Sequence, residues 1–221
     1  MNIRSLGPAS VAMSLALVLT ACGPTDSTVG TAAGSRPRQH VPLTATMAAR
    51  AFLDRYVAAD GRVVRRDQGG DTVSEGQGYG LLLAVVADRP AEFRRIWVWT
   101  RQHLADPDRL LAWRWAHGRV SSHMPASDAD LDVTWALALA ARRFHTRAYL
   151  GAAHQLTVAM SRREVAWRHG LPLFVAGPWA RGDAGVVAPG YLAFPALARM
   201  TTLSPNPLLW KAILRSSIRV L

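Results

Sequence analysis

"SEGQGYG", residues 74–80, is the stretch on which the reading of this chain turns. It stands between a polar run, "RRDQGGDTV" (65–73), and an apolar one, "LLLAVVA" (81–87). Ser74 with Gln77 three residues on matches a capping box, so a helix is predicted to start here with Ser74 as N-cap and Glu75 as its first residue. A similar start recurs at "SDADLDVTWALALAARRF" (127–144), with Ser127 as N-cap, Asp128 next and Asp130 three residues on. An acid near a helix N-terminus gains about 0.3–1 kcal/mol from the helix dipole, which explains either carboxylate alone. The two together say more. Both segments are apolar over most of their surface and read as inner helices walled by neighbours. If they run parallel, their N-termini converge and the two carboxylates face one cavity.

Outward from these two, helical spacing recurs along the chain. Seven helices are predicted, at roughly 44–59, 74–87, 90–104, 127–144, 147–162, 190–202 and 206–220. Pro90 suits a first helical turn, and Phe93, Ile96, Trp97 and Leu104 give that helix one apolar face. "RVVRR" (62–66) and "LPLFVAG" (171–177) are expected as short strands in connections. The fold class is therefore all-α, either a bundle or an α/α toroid.

The chain has 221 residues, half of them hydrophobic, and a net charge of +11. That is enough for one domain with a substantial core. All but one of the 26 basic residues are arginine. They are scattered rather than gathered in one run, and no nucleic-acid motif accompanies them, so no nucleic-acid partner is expected. Seven histidines show no metal-ligand spacing, "GQGYG" lacks the spacing of a dinucleotide loop, and no P-loop is present. Neither metal nor cofactor is expected.

Residues 1–22 read as an export signal. Arg4 precedes a short apolar core, "VAMSLALVL" (11–19), and "LTAC" (19–22) ends in Cys22, the single cysteine. This resembles a lipoprotein signal, with Cys22 as the lipidated residue and a membrane-anchored, periplasmic or cell-surface location. Residues 23–41 are small and polar and read as a flexible tether; the folded part is expected over 42–221.

Four segments in order carry a resemblance. "SEGQGYG" and "ASDADLDVTWALALAARRF" resemble the two sequence marks of glycoside hydrolase family 8, bacterial endo-β-1,4-glucanases with chitosanases and xylanases among them. "LAWRWAHG" (111–118) is similar to the tryptophan-bearing stretch between those marks, and "APGYLAFPAL" (188–197) to a later Asn-Pro-Ser-Tyr segment, with Ala188 and Gly190 at the Asn and Ser positions. The resemblance implies a partial (α/α)6 toroid, seven helices of twelve, and an inverting cleavage of β-1,4-glucan. It implies Glu75 as general acid and Asp128 as the residue that binds sugar at the cleavage point. Tyr79, Trp113, Trp179 and Tyr191 fall in segments that resemble cleft-lining ones, as does Trp115, and flat rings suit the apolar faces of glucosyl units. Trp97 and Trp135 are expected in the core. The glycines are expected to thin the helix mouth so that a sugar chain can approach.

A general acid must hold its proton near working pH. The helix terminus acts against this, while desolvation and a neighbouring carboxylate favour it. The resembled family has its general base in a segment beyond Leu221. Asp130 and Asp132 are not expected to replace it, because neighbouring helix positions point to different sides. Hydrolysis is therefore expected to be weak or absent, and the alternative is a glucan-binding or structural lipoprotein without turnover.

Overall fold

The computed structural model describes residues 44–182 and 185–220. The expected signal segment, Cys22 and the tether lie outside them. Among the described residues there are seven α-helices: α1 (Ala45–Tyr56), α2 (Ser74–Val86), α3 (Pro90–His103), α4 (Ser127–Arg143), α5 (Arg147–Arg163), α6 (Phe194–Leu203) and α7 (Pro207–Val220). All seven expected helices are present. The even-numbered ones form an inner row, α2 on α4 and α4 on α6. The odd-numbered ones pack outside, α1 and α3 on α2, α5 on α4, α7 on α6. This is an arc of an α/α toroid.

Local chemistry sets the ends. Thr44 caps α1 by accepting from the Met47 N–H at 3.2 Å. α1 stops at Tyr56 because Val57 turns extended and bridges Val63. Pro90 opens α3 at a position where its missing N–H costs nothing. α6 begins four residues later than expected. Pro189–Tyr191 instead forms a short 3-10 turn, with Tyr191 on it.

The capping boxes are a correction. Ser74 and Ser127 are themselves the first helical residues, preceded by Val73 and Ala126, and neither serine hydroxyl caps its helix. Gln77 does not reach back. It is buried, accepts from the Val63 N–H at 2.5 Å and donates to Thr100 Oγ1 at 2.7 Å. One side chain thus ties the 57–63 turn, α2 and α3 together. Asp130 likewise turns inward and accepts from the Leu111 N–H at 2.9 Å.

Five strands accompany the helices. β1 (Thr72–Val73), β2 (Ala112–Ala116) and β3 (Arg119–Pro125) form one antiparallel sheet; β4 (Val165–Arg168) and β5 (Leu171–Phe174) form a hairpin. The strand expected at "RVVRR" is only the Val57–Val63 bridge, whereas that at "LPLFVAG" is β5 over its first four residues. Both hairpins turn on a His-Gly pair with φ positive at both residues: His117 at 52° and Gly118 at 75°, His169 at 48° and Gly170 at 75°. That pair fits the two-residue turn whose twist matches antiparallel strands. The β2–β3 sheet lies over the N-terminal ends of α2 and α4 and supplies one wall of the site.

The glycines of α2 face protein, which corrects the expectation that they admit a sugar chain. A Cβ on Gly78 would lie 3.2 Å from Asp132 Cβ, and one on Gly80 2.7 Å from Val63 Cγ2 and 3.4 Å from Ile96 Cδ1. Bare backbone there lets α2 lie close to α4 on one side and to α3 on the other.

Candidate active site

Glu75 is the second residue of α2 and Asp128 the second of α4. Gly78 packs on the Ala129–Val133 turn, Glu75 acts on Asp128 and Asp132 on Tyr79, so the first turns of the two helices lie side by side in the same sense. The carboxyls of their first turns therefore meet, as the apolar character of both helices suggested. Glu75 Oε1 accepts from the Trp113 indole N–H at 3.1 Å, and Oε2 from Ser74 Oγ at 3.2 Å. Asp128 Oδ1 is buried with no hydrogen-bond partner.

Trp113 sits on β2 and is held there by its neighbour. Arg114 lies against the Trp113 ring, 6.0 Å from its centre, and its Nε donates to Asp71 Oδ2 at 2.6 Å. Arg65 grips the same carboxylate, Nε to Oδ1 at 2.7 Å and Nη2 to Oδ2 at 2.6 Å. Asp71 is 4% exposed. Burial works to raise its pKa, but the hydrogen bonds from Arg65 and Arg114 outweigh it and hold Asp71 below the usual range. This doubly gripped carboxylate fixes β2 against β1, and so fixes the indole over Glu75. Sequence spacing gave no hint of it, since Arg114 is far from Asp71 in the chain.

Trp115 does not join the cleft. It packs edge-on to Trp99 at 5.6 Å and to His103 at 4.9 Å, on the side of α3. Residues two apart on a regular strand share a face, but register shifts on either side of Arg114 break that rule. Trp97 and Trp135 pack against the core, as expected.

The remaining expected residues come together in part. Tyr79, one turn beyond Glu75, is 49% exposed; burial of the rest of the side chain and then the charges of Asp132, Asp128 and Glu75 raise its pKa. Tyr191 on its 3-10 turn reaches the same cluster, and burial with Asp128, Glu75 and Tyr79 pushes its pKa to about 12. Trp179 is 53% exposed and donates its indole N–H to Pro125 O at 3.0 Å, so it stands at the end of β3, near Asp128 in the chain.

Asp132 is the residue that sequence reasoning missed. The reason for setting it and Asp130 aside as a base, that neighbouring helix positions point to different sides, holds for Asp130, two positions from Asp128, and does not hold for Asp132. Positions four apart share a helix face, and Asp132 joins Glu75 and Asp128. Burial and the Glu75 charge raise Asp132 to about 6. Burial, then the Glu75 charge, raise Asp128 to about 7, against the pull of the Ala129 N–H. Glu75 is also raised by burial; its own backbone N–H, Ser74, Trp113 and the more distant Arg65 pull the other way. The tryptophan wall therefore favours the ionised carboxylate through its N–H, while it desolvates it through its ring. Three mutually repelling carboxyls retain a proton near neutral pH, and that proton belongs to the cluster rather than to one residue.

A second acidic pair lies deeper. Asp130 and Glu164 are fully buried. Burial, and for Glu164 the Asp130 charge, push both well above the ordinary carboxylate range. They face protein and cannot reach a ligand in the cleft.

A surface cluster that holds a proton among half-buried carboxyls, with exposed aromatic rings beside it, can donate that proton to a polar oxygen and stack on an apolar ring. Comparison with known proteins agrees in kind. The family model described as glycosyl hydrolases family 8 matches residues 41–221. A probable endoglucanase of Novacetimonas hansenii is 31% identical over 177 residues, covering 76% of this chain and 51% of that protein. An endoglucanase of Xanthomonas axonopodis pv. citri is 35% identical over 185 residues, covering 77% and 47%. Among solved structures, the endo-beta-1,4-glucanase of Acetobacter xylinum superposes with a TM-score of 0.75 at 27% identity, covering 80% of this chain and 57% of that one. The chain spans about half the length of the curated relatives it matches.

Proposed function

Because the chain belongs to glycosyl hydrolases family 8, we propose that its cleft takes a β-1,4-linked glucan and that Glu75 is the proton donor to the glycosidic oxygen. Asp128 holds the sugar at the cleavage point by accepting from its hydroxyls. Trp113, Trp179, Tyr79 and Tyr191 offer rings and hydroxyls along the chain of sugars. The single observation that carries this reading is the Glu75 carboxyl, held by the Trp113 indole at 3.1 Å and acting on Asp128 from the neighbouring helix start.

The reaction is inverting in this proposal: the leaving oxygen takes the proton of Glu75 while water attacks from the opposite face of the ring. A base must hold that water. Glu164, the one described carboxyl beyond α4, is fully buried and cannot do so. A second reading is glucan binding without cleavage. Binding is common to both and is tested first. In native gels cast with soluble cellulose derivatives, the wild-type chain is retarded and Trp113→Ala migrates faster. Equal mobility of the wild type with and without polysaccharide removes both readings.

We also propose export and lipid anchoring through Cys22, on the support of "LTAC" and the absence of any other cysteine. Cys22→Ser then loses labelling by a fatty-acid probe and leaves the membrane fraction. A wild type that is unlabelled and not membrane-bound contradicts the anchor.

A further inference from the structure

Two pairs of side chains stand on the facing surfaces of α2 and α4. Glu75 and Tyr79 are one turn apart on α2; Asp128 and Asp132 are one turn apart on α4. Between them lies Gly78, where a Cβ would come within 3.2 Å of Asp132 Cβ. Glu75 receives Trp113 and Ser74, Asp128 feels the Ala129 N–H but keeps one oxygen buried without a partner, and Tyr79 is half exposed. Asp132 receives no hydrogen bond and no cation from the described residues. Glu75 is the charge that acts on it, and it acts in turn on Asp128 and Tyr79. α5 and α6 also pack on α4, and among the described residues neither brings a charge to Asp132.

An unpaired, half-buried carboxylate beside two others works against folding. Asparagine or leucine would fill the same space without the repulsion, so packing does not account for an acid here. Its distinguishing property is the charge it sets against Glu75 across the bare backbone of Gly78.

We propose that Asp132 is a positioning residue for the acid: its charge, set against Glu75 across the Gly78 contact, keeps a proton in the Glu75–Asp128 pair. This rests on the reading of Glu75 as proton donor. In that reading a single carboxylate neighbour must bind sugar hydroxyls and hold the proton in place at once. With Asp132 beneath, the two tasks are divided. Asp128 accepts from the sugar, and part of the repulsion that keeps the proton in the pair comes from a residue one turn further into the helix, which acts on Asp128.

The test is a carboxyl titration of the full chain, followed by NMR with carbon-13 in the Asp and Glu side chains. Asp132→Asn lowers the upper midpoint of the Glu75–Asp128 pair by about one pH unit, the size of a nearby like charge. Asp132→Glu restores most of it, because the charge returns. In Glu75→Gln the Asp132 midpoint falls by a similar amount, since the interaction is reciprocal; this arm decides if Asp132→Asn does not fold. An unchanged pair midpoint in an Asp132→Asn chain with wild-type circular dichroism overturns the proposal, as does an unchanged Asp132 midpoint in Glu75→Gln. If the midpoints move as stated and no glucan is cleaved, the failure lies with the hydrolytic reading and not with Asp132.

Discussion

At the scale of single residues the site is built against stability. Asp128 titrates near 4 in an unfolded chain and about 7 in the fold. Between those values the native state binds more protons than the unfolded one, so stability falls as pH rises through that window. Below about pH 4 the carboxyl is protonated in both states and the penalty disappears. Asp128→Asn, which cannot ionise, is therefore expected to melt a few degrees higher than the wild type at pH 7.5 and at the same temperature at pH 3.5. Differential scanning calorimetry at the two pH values checks this, and an equal gain at both would show that charge is not the cause. Stability gained by removing a charged site residue is the usual sign that the residue is kept for function. Much of this was legible in the sequence. Glu75 and Asp128 stood out because each follows a serine at the start of a greasy helix. Asp132 did not, although helix periodicity places it directly below Asp128; nearness along the chain was mistaken for divergence in space. The Asp71 grip was beyond reach, because no spacing rule joins residues 65, 71 and 114.

At the scale of elements, periodicity located the helices and failed at their connections. An apolar face recurring every three or four residues survives tertiary packing. The hairpins depend instead on positive φ at His117–Gly118 and His169–Gly170, and His-Gly is a weaker signal than Asn-Gly or Asp-Gly. The serines at 74 and 127 misled by one residue, because buried Gln77 and Asp130 serve neighbouring elements rather than the helix ends. The glycines carry a sharper lesson. Gly80 packs on Val63 and Ile96, and a Cβ there meets a stiff, buried valine at 2.7 Å. Gly80→Ala is expected to lose about 1–3 kcal/mol to overpacking, more than the ~1 kcal/mol that alanine gains in a helix. Gly151, in the exposed face of α5, has nothing within 4 Å of its would-be Cβ. Gly151→Ala should therefore gain about 0.5–1 kcal/mol. Urea melts of both variants test the pair of signs; a loss at both positions, or a gain at both, contradicts the packing described.

At the scale of the whole molecule, an inner row of three helices presents its N-terminal turns to one face, and the β2–β3 sheet closes one side of it. This is why a carboxylate, three glycines and a tyrosine stand together at residues 74–80. The acid faces the cleft, two glycines seat the helix against its neighbours, and the tyrosine lies one turn from the acid on the same face. The order of segments made the toroid legible before any contact was known. That Trp113 and not Trp115 stands beside Glu75 needed the register shifts around Arg114, which no pattern of apolar residues records. The central claim is that this face cleaves β-1,4-glucan with the proton of Glu75. The most direct measurement is release of reducing ends from carboxymethyl-cellulose, with wild type and Glu75→Gln incubated side by side at high protein concentration. The account predicts release by the wild type and a fall of about 10²–10⁴-fold in Glu75→Gln. Release that persists undiminished in Glu75→Gln, or none above buffer from the wild type, contradicts it.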